Sequence, residues 1–187
     1  YAVILFDYRY WGGSTGYPRE LVSLKLQLED WVTVIDYIAQ KKSIDTRRMV
    51  LWGTSLSGGY VLELASQLKN IKAIIAQIPF VDGTESAKHY PLQFLPQALK
   101  ISSQDYMGGK VGLSPRTLPV IHPKKLCFLP TPDSYAGYLS ILNPDYYWSG
   151  EVPARVFFNL MRFRPIQNVR KITVPTLFIA AKQDTFI

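Results

Sequence analysis

The stretch Met49-Val50-Leu51-Trp52-Gly53-Thr54-Ser55-Leu56-Ser57-Gly58-Gly59 decides the fold. Four apolar residues stop at a glycine, a serine stands two positions later, and helical spacing begins at once. From Gly58 to Lys69, Val61, Leu64, Ala65 and Leu68 share one face, with Asn70 as a stop signal. A buried strand therefore runs into a tight turn from which a helix leaves. Such a turn needs small residues two before and two after its apex, here Gly53 and Ser57. The strained apex pushes the Ser55 Oγ outward. The Leu56 N–H then lies at a helix N-terminus, where it can donate to an oxyanion formed when Ser55 attacks a carbonyl. Position plus two is Ser57 where the usual pattern has Gly, so a shifted frame, Ser55-Leu56-Ser57-Gly58-Gly59, would make Ser57 the nucleophile. Ser55 is preferred because Gly53 directly ends the strand. Ser57 then takes the place of the first of two helix-opening glycines. A phosphate-binding turn is the competing reading, and it lacks the Lys that such a loop carries at the helix start.

On either side of this segment, strand and helix patterns alternate. Tyr1–Phe6 is a β-rich apolar run, followed by Asp7-Tyr8-Arg9 and the turn residues Gly12 to Gly16. Pro18 suits a first helical turn. Leu21, Leu24, Leu28, Trp31, Ile35 and Ile38 then recur at steps of three and four, one apolar helical face. Ile71–Ile78 reads as a further strand ended by Pro79, and Thr176–Ala181 as another. Strands separated by helices predict an α/β fold, a mostly parallel sheet with helices on both faces. Ten of the 13 prolines fall between Pro91 and Pro165, amid Tyr135, Tyr138, Tyr146, Tyr147, Trp148, Phe157 and Phe158. Long regular elements are not expected there. The expected organisation is a core part over residues 1–81, a Pro- and aromatic-rich cap insertion over 82–165, and a return to the core over 166–187.

The 187 residues, 48% apolar and 19% charged, exclude a disordered or collagen-like chain. No apolar run approaches the ~20 residues that cross a bilayer. A single cysteine, Cys127, allows no internal disulfide. That argues against a stapled secreted scaffold, and an intracellular protein, cytoplasmic or peroxisomal, is expected. The net charge of +7 sits almost wholly in the second half, with Lys124, Lys125, Arg162, Arg164, Arg170 and Lys171. An anion-binding module is one reading of that excess. No helix-turn-helix, zinc-ligand or RNP-like pattern accompanies it, so a nucleic-acid partner is not expected. No spacing suits a metal or an organic cofactor, and none is expected. Oligomeric state is not legible.

Four segments together resemble the α/β-hydrolase superfamily, in its esterase- and peptidase-like group with a large cap. Phe6-Asp7-Tyr8-Arg9-Tyr10-Trp11-Gly12-Gly13-Ser14 resembles the fourth strand and its following loop. The Ser55 turn resembles the nucleophile elbow ending the fifth strand. Ala76-Gln77-Ile78-Pro79-Phe80-Val81-Asp82-Gly83 resembles the sixth strand running into the cap. Val174 to Thr185, containing Asp184, resembles the seventh strand and its acid-bearing turn. The pattern is also similar to fungal hydrolases of secondary-metabolite and toxin gene clusters. The resemblance implies a serine hydrolase acting on a carboxylic ester, thioester or amide, with Ser55 as nucleophile and Asp184 as the acid. Asp82 is the runner-up acid, weighed against a plain turn residue before Gly83. The aromatic cap suggests a small-molecule partner with an apolar acyl group. A catalytically inactive hydrolase-like scaffold is the alternative.

The family's order is Ser, acid, His, which places the histidine beyond Ile187. His89 and His122 are expected as surface or cap residues, and Cys127 as a buried one. The chain opens and stops inside apolar runs, so it is expected to be an internal fragment, inactive alone for want of that histidine. The family's third strand lies between its fourth and fifth. Tyr1–Phe6 and Met49–Trp52 should therefore not pair directly, but stand about 10 Å apart.

Overall fold

The computed structural model describes residues 2–143, 145 and 148–182. Asp184, together with Tyr146 and Tyr147, lies outside the described residues. The chain divides into two compact units, one comprising residues 2–8, 24–84 and 162–182, the other residues 9–23 and 85–161. The division does not follow chain order, because the loop at 9–23 joins the unit of the Pro-rich segment and residues 82–84 and 162–165 join the sheet.

The first unit is built on a three-stranded parallel sheet in the order β1 (Val50–Thr54), β2 (Ala73–Gln77), β5 (Thr176–Ile179). Thr54 pairs with Gln77, and Gln77 with Ile179. All three strands thus end at one carboxyl edge, where open α/β sheets hold their sites. Alternation along β1 and β2 sends Leu51, Ile74 and Ala76 into the core. Helix α2 (Leu56–Gln67) supplies Val61, Leu62, Leu64 and Ala65 to that core, and α1 (Leu24–Ala39) supplies Ile35 with half-buried Leu28, Trp31 and Val32. Truncating a fully buried aliphatic such as Leu62 costs roughly 2–5 kcal/mol. The sequence places helices on both faces of the sheet. Among the described residues the core joins α1 and α2 to the Leu51 face, while Val50 and Trp52 on the opposite face are exposed.

Two expectations at the start of the chain are corrected. The Tyr1–Phe6 run forms no strand over its described residues, where Val3 and Leu5 are exposed and no ladder partner is present. Apolar β-rich composition makes a strand only where backbone groups find a neighbour. Only Phe6 finds an aromatic setting, edge-on to Tyr8 and Trp31 at 5.2 and 5.1 Å. Helix α1 begins at Leu24 rather than near Pro18. The intervening loop has spent its backbone groups internally: Tyr10 N–H donates to Thr15 O (3.0 Å), Glu20 N–H to Tyr10 O (2.9 Å), and the Arg19 guanidinium to the Gly12 and Ser14 carbonyls. Glu20, at φ 58°, cannot continue into a right-handed helix.

The second unit contains α3 (Gly83–Lys88, from Glu85 onward), α4 (Leu95–Lys110), β3 (Thr117–Pro119), α5 (Ser134–Ile141), β4 (Glu151–Pro153) and most of α6 (Val156–Arg162). The 16-residue α4 contradicts the expectation of no long element between Pro91 and Pro165. Pro96 falls in its first turn, where the missing N–H costs nothing, and the next proline is Pro115. Strands β3 and β4 pair antiparallel, Leu118 opposite Val152, and both side chains enter a core with Tyr90, Ala98, Phe128 and Phe157. Asp105, fully buried on α4, accepts from the N–H groups of Arg116 and Arg155 (both 2.8 Å) and from the Arg155 guanidinium at 2.7 and 2.9 Å.

Candidate active site

The turn between β1 and α2 is strained at Ser55. Ser55 sits between β1 and α2 at φ 54°, ψ −118°, a region that non-glycine residues avoid. Its backbone is held from three sides. Ser55 N–H donates to Gln77 O (3.0 Å), while Ser55 O accepts from Phe80 N–H (2.8 Å) and Gly59 N–H (3.2 Å). These bonds over-determine a conformation that costs about 1–3 kcal/mol by itself. The side chain is exposed. Leu56 opens α2, so its N–H has no acceptor within the helix and stands beside the apex.

Gly53 is required by close approach. A Cβ there would overlap the Ser57 carbonyl oxygen and lie 2.8 Å from Gly58 N. Gly58 is buried against Pro79. Gly59, which the sequence reading did not single out, is equally constrained. A Cβ there would overlap Phe80 O and come within 2.8 Å of the Phe163 ring.

The shifted frame is not supported. Ser57 lies inside α2 with its Oγ 2.8 Å from the Tyr8 hydroxyl, and that hydroxyl accepts from Trp31 Nε1 at 2.7 Å. Burial raises the Tyr8 phenol above its ordinary value, partly offset by these two bonds. The sequence reading missed Tyr8, Trp31 and the Gln77–Phe80 brace. The one signal for the first two was Ser57 itself, a hydroxyl where the pattern has glycine.

Asp82 is engaged elsewhere. Its buried carboxylate accepts from the Arg164 guanidinium, Nη2 at 2.8 Å and Nε at 2.9 Å, and from Thr84 N–H (2.9 Å) and Oγ1 (2.7 Å). That is the turn role weighed for it, strengthened by an ion pair. Asp184 lies outside the described residues. What the structure shows is that β5 ends at the same sheet edge as Ser55. His122 Nδ1 accepts from the N–H groups of Lys124 (3.0 Å) and Lys125 (2.8 Å), and His89 is exposed at the end of α3. Burial raises the Cys127 thiol. Among the described residues no group of three His, Cys, Asp or Glu side chains could hold a metal ion. None of the described helices is long and apolar enough to cross a membrane.

A parallel sheet whose strand ends on a strained serine, followed directly by a helix, defines the α/β-hydrolase class. The chain belongs to the family described as serine aminopeptidase, S33, whose pattern matches residues 1–187. It is 35% identical to the quorum-quenching protein AidA of Acinetobacter baumannii, over 99% of this chain and 61% of that protein. It is 26% identical to thiohydrolase aneE of Aspergillus aculeatus, over 98% of this chain and 60% of that one. The crystal structure of the α/β hydrolase GrgF from a Penicillium species superposes with a TM-score of 0.78, at 19% identity, over 97% of this chain and 62% of that one. The chain therefore spans about three fifths of the length of these two relatives.

Proposed function

We propose that this chain carries the nucleophile and one oxyanion donor of a serine hydrolase that cleaves a carboxylic ester, thioester or amide by way of an acyl-enzyme on Ser55. The observation that carries the reading is the exposed Ser55 at φ 54°, ψ −118°, pinned between β1 and α2. Ser55 Oγ attacks the carbonyl, and the developing oxyanion receives the Leu56 N–H. A histidine takes the Ser55 proton and passes it to the leaving group, and water then clears the acyl group. In this reading Asp184, which follows β5 in the sequence, is the acid that orients that histidine. On the same reading the base follows Asp184 in the family's order of serine, acid and histidine, and neither His89 nor His122, whose Nδ1 accepts from two backbone amides, fills that place. The residues 1–187 alone should then turn over negligibly, because general-base help is worth ~10²–10⁴ in rate.

Among the three bonds, relatives named as thiohydrolases favour a thioester. A place in secondary metabolism and an apolar acyl substrate belong to the same proposal. The test is fluorophosphonate labelling of the full-length gene product, with p-nitrophenyl ester turnover measured beside it. Labelling and turnover should both vanish in Ser55→Ala. Labelling that persists in that variant would overturn the assignment.

A further inference from the structure

We propose that Tyr8 and Ser57 act as one positioning device for the Ser55 elbow, a refinement that rests on the serine-hydrolase reading above. The starting point is a departure from pattern: the position two after the apex is a serine where the elbow usually has glycine. The serine is not idle. Its Oγ lies 2.8 Å from Tyr8 Oη, and Tyr8 Oη lies 2.7 Å from Trp31 Nε1. An indole N–H only donates, so Tyr8 accepts from Trp31 and shares its remaining proton or lone pair with Ser57. The chain of bonds therefore runs from α1, through the segment preceding the 9–23 loop, to the first turn of α2.

That turn controls the elbow directly. The Ser57 carbonyl is the group packed over Gly53, leaving no room for a Cβ there. Leu56, the oxyanion donor, lies between Ser57 and Ser55. Rotating the first turn of α2 would move the Leu56 N–H and the Ser55 side chain together. Tyr8 is itself fixed by rings, edge-on to Phe6 at 5.2 Å and to Tyr60 at 6.1 Å. A tether from a ring so held to the second residue of the helix fixes the direction of the donor that must meet the oxyanion. Neither Tyr8 nor Ser57 is asked to touch substrate. Burial raises the Tyr8 phenol, so Tyr8 keeps its hydroxyl proton through the neutral range.

The experiment compares Tyr8→Phe, Ser57→Ala and the double variant in the full-length gene product. Ester turnover is measured as kcat per fluorophosphonate-titratable serine, so that loss of folded enzyme does not count. Each single change should lower kcat about tenfold, the scale of a sub-ångström misplacement, with KM within about twofold. The double variant should fall no further than either single one, because both remove the same bond. Singles that turn over at the wild-type rate per active serine, or losses that multiply in the double, would overturn the proposal. If Tyr8→Phe does not fold, Ser57→Ala decides alone by the same criterion. Labelling that survives Ser55→Ala would bring down the hydrolase reading and this proposal together, whereas multiplying losses with Ser55-dependent labelling would remove only the positioning role.

Discussion

The strain at Ser55 is held by neighbours that are mostly backbone, and this makes the elbow intolerant of side chains. A methyl group at Gly53 meets the Ser57 carbonyl and Gly58 N, neither of which can swing away as a side-chain end could. Gly53→Ala should therefore lower stability by about 1–3 kcal/mol, the usual range for overpacking, and should lower the rate of fluorophosphonate labelling by more than its effect on stability accounts for. Urea denaturation beside labelling rates on the folded protein checks both. An unchanged urea midpoint would mean that the turn relaxes freely. The Asp82 carboxylate, held by Arg164 and Thr84, makes a different case. Arg164→Ala leaves a buried carboxylate without its cation, a change worth about 3–5 kcal/mol in a fully buried pair. The loss should be smaller here because the Arg164 side chain is 37% exposed. Much of this was legible in the residues. Gly53, Ser55 and the order strand, serine, helix are local, and local sterics act within a few positions. The Ser57–Tyr8 bond spans 49 positions and the Asp82–Arg164 pair 82, so no reading of spacing could reach them.

At the scale of elements, periodicity located what packing later confirmed. Strands β1, β2 and β5 and helix α2 lie within about two residues of their expected limits: β1, β2 and α2 each commit one face to a single core, while β5, with Leu177 and Phe178 exposed, is fixed by its ladder to β2. The failures have a common cause. The Tyr1–Phe6 run lacks a ladder over its described residues, the 10–20 loop satisfies its own backbone, and α4 takes Pro96 into its first turn and ends before Pro115, in a tract that composition alone had read as irregular. Helix α4 also shows how an isolated charge fixes an element. Asp105 is fully buried and gathers the backbone N–H groups that flank β3 and β4, together with the Arg155 guanidinium. Asp105→Asn keeps the shape but removes the charge that compensates Arg155, whose side chain is only 18% exposed. The expected loss is about 3 kcal/mol, near the lower end for a broken buried pair because Arg155 keeps some solvent. It should appear as a lower thermal midpoint. A midpoint within a degree or two of wild type would mean that the β3–β4 hairpin is held by its apolar contacts alone.

Over the whole molecule, four of the described phenols are buried enough to be raised above their ordinary value. Tyr8 and Tyr60 in the sheet unit, and Tyr90 and Tyr138 in the other, are all raised above 10.0, in each case chiefly by loss of hydration. A group that keeps its proton in the folded state and releases it near 10 when unfolded stabilises the fold fully below about 10. That contribution is lost as pH climbs from there toward the folded value. Both units should therefore weaken above pH 10. A second effect runs the other way, since losing lysine protons relieves the self-repulsion of a chain with a net charge of +7. A single variant separates the two. Tyr90→Phe removes the phenol that donates to Cys127 O at 2.8 Å, but keeps the ring against Phe157 and leaves every lysine in place. At pH 8 it should be less stable than wild type by about 1 kcal/mol, the net worth of one buried hydrogen bond. Between pH 10 and 11.5 that gap should close and then reverse, because only the wild type still carries a phenol whose ionisation pulls toward the unfolded state. Thermal midpoints across that range decide it, and a gap that stays constant to pH 11.5 would mean that Tyr90 ionises as readily folded as unfolded.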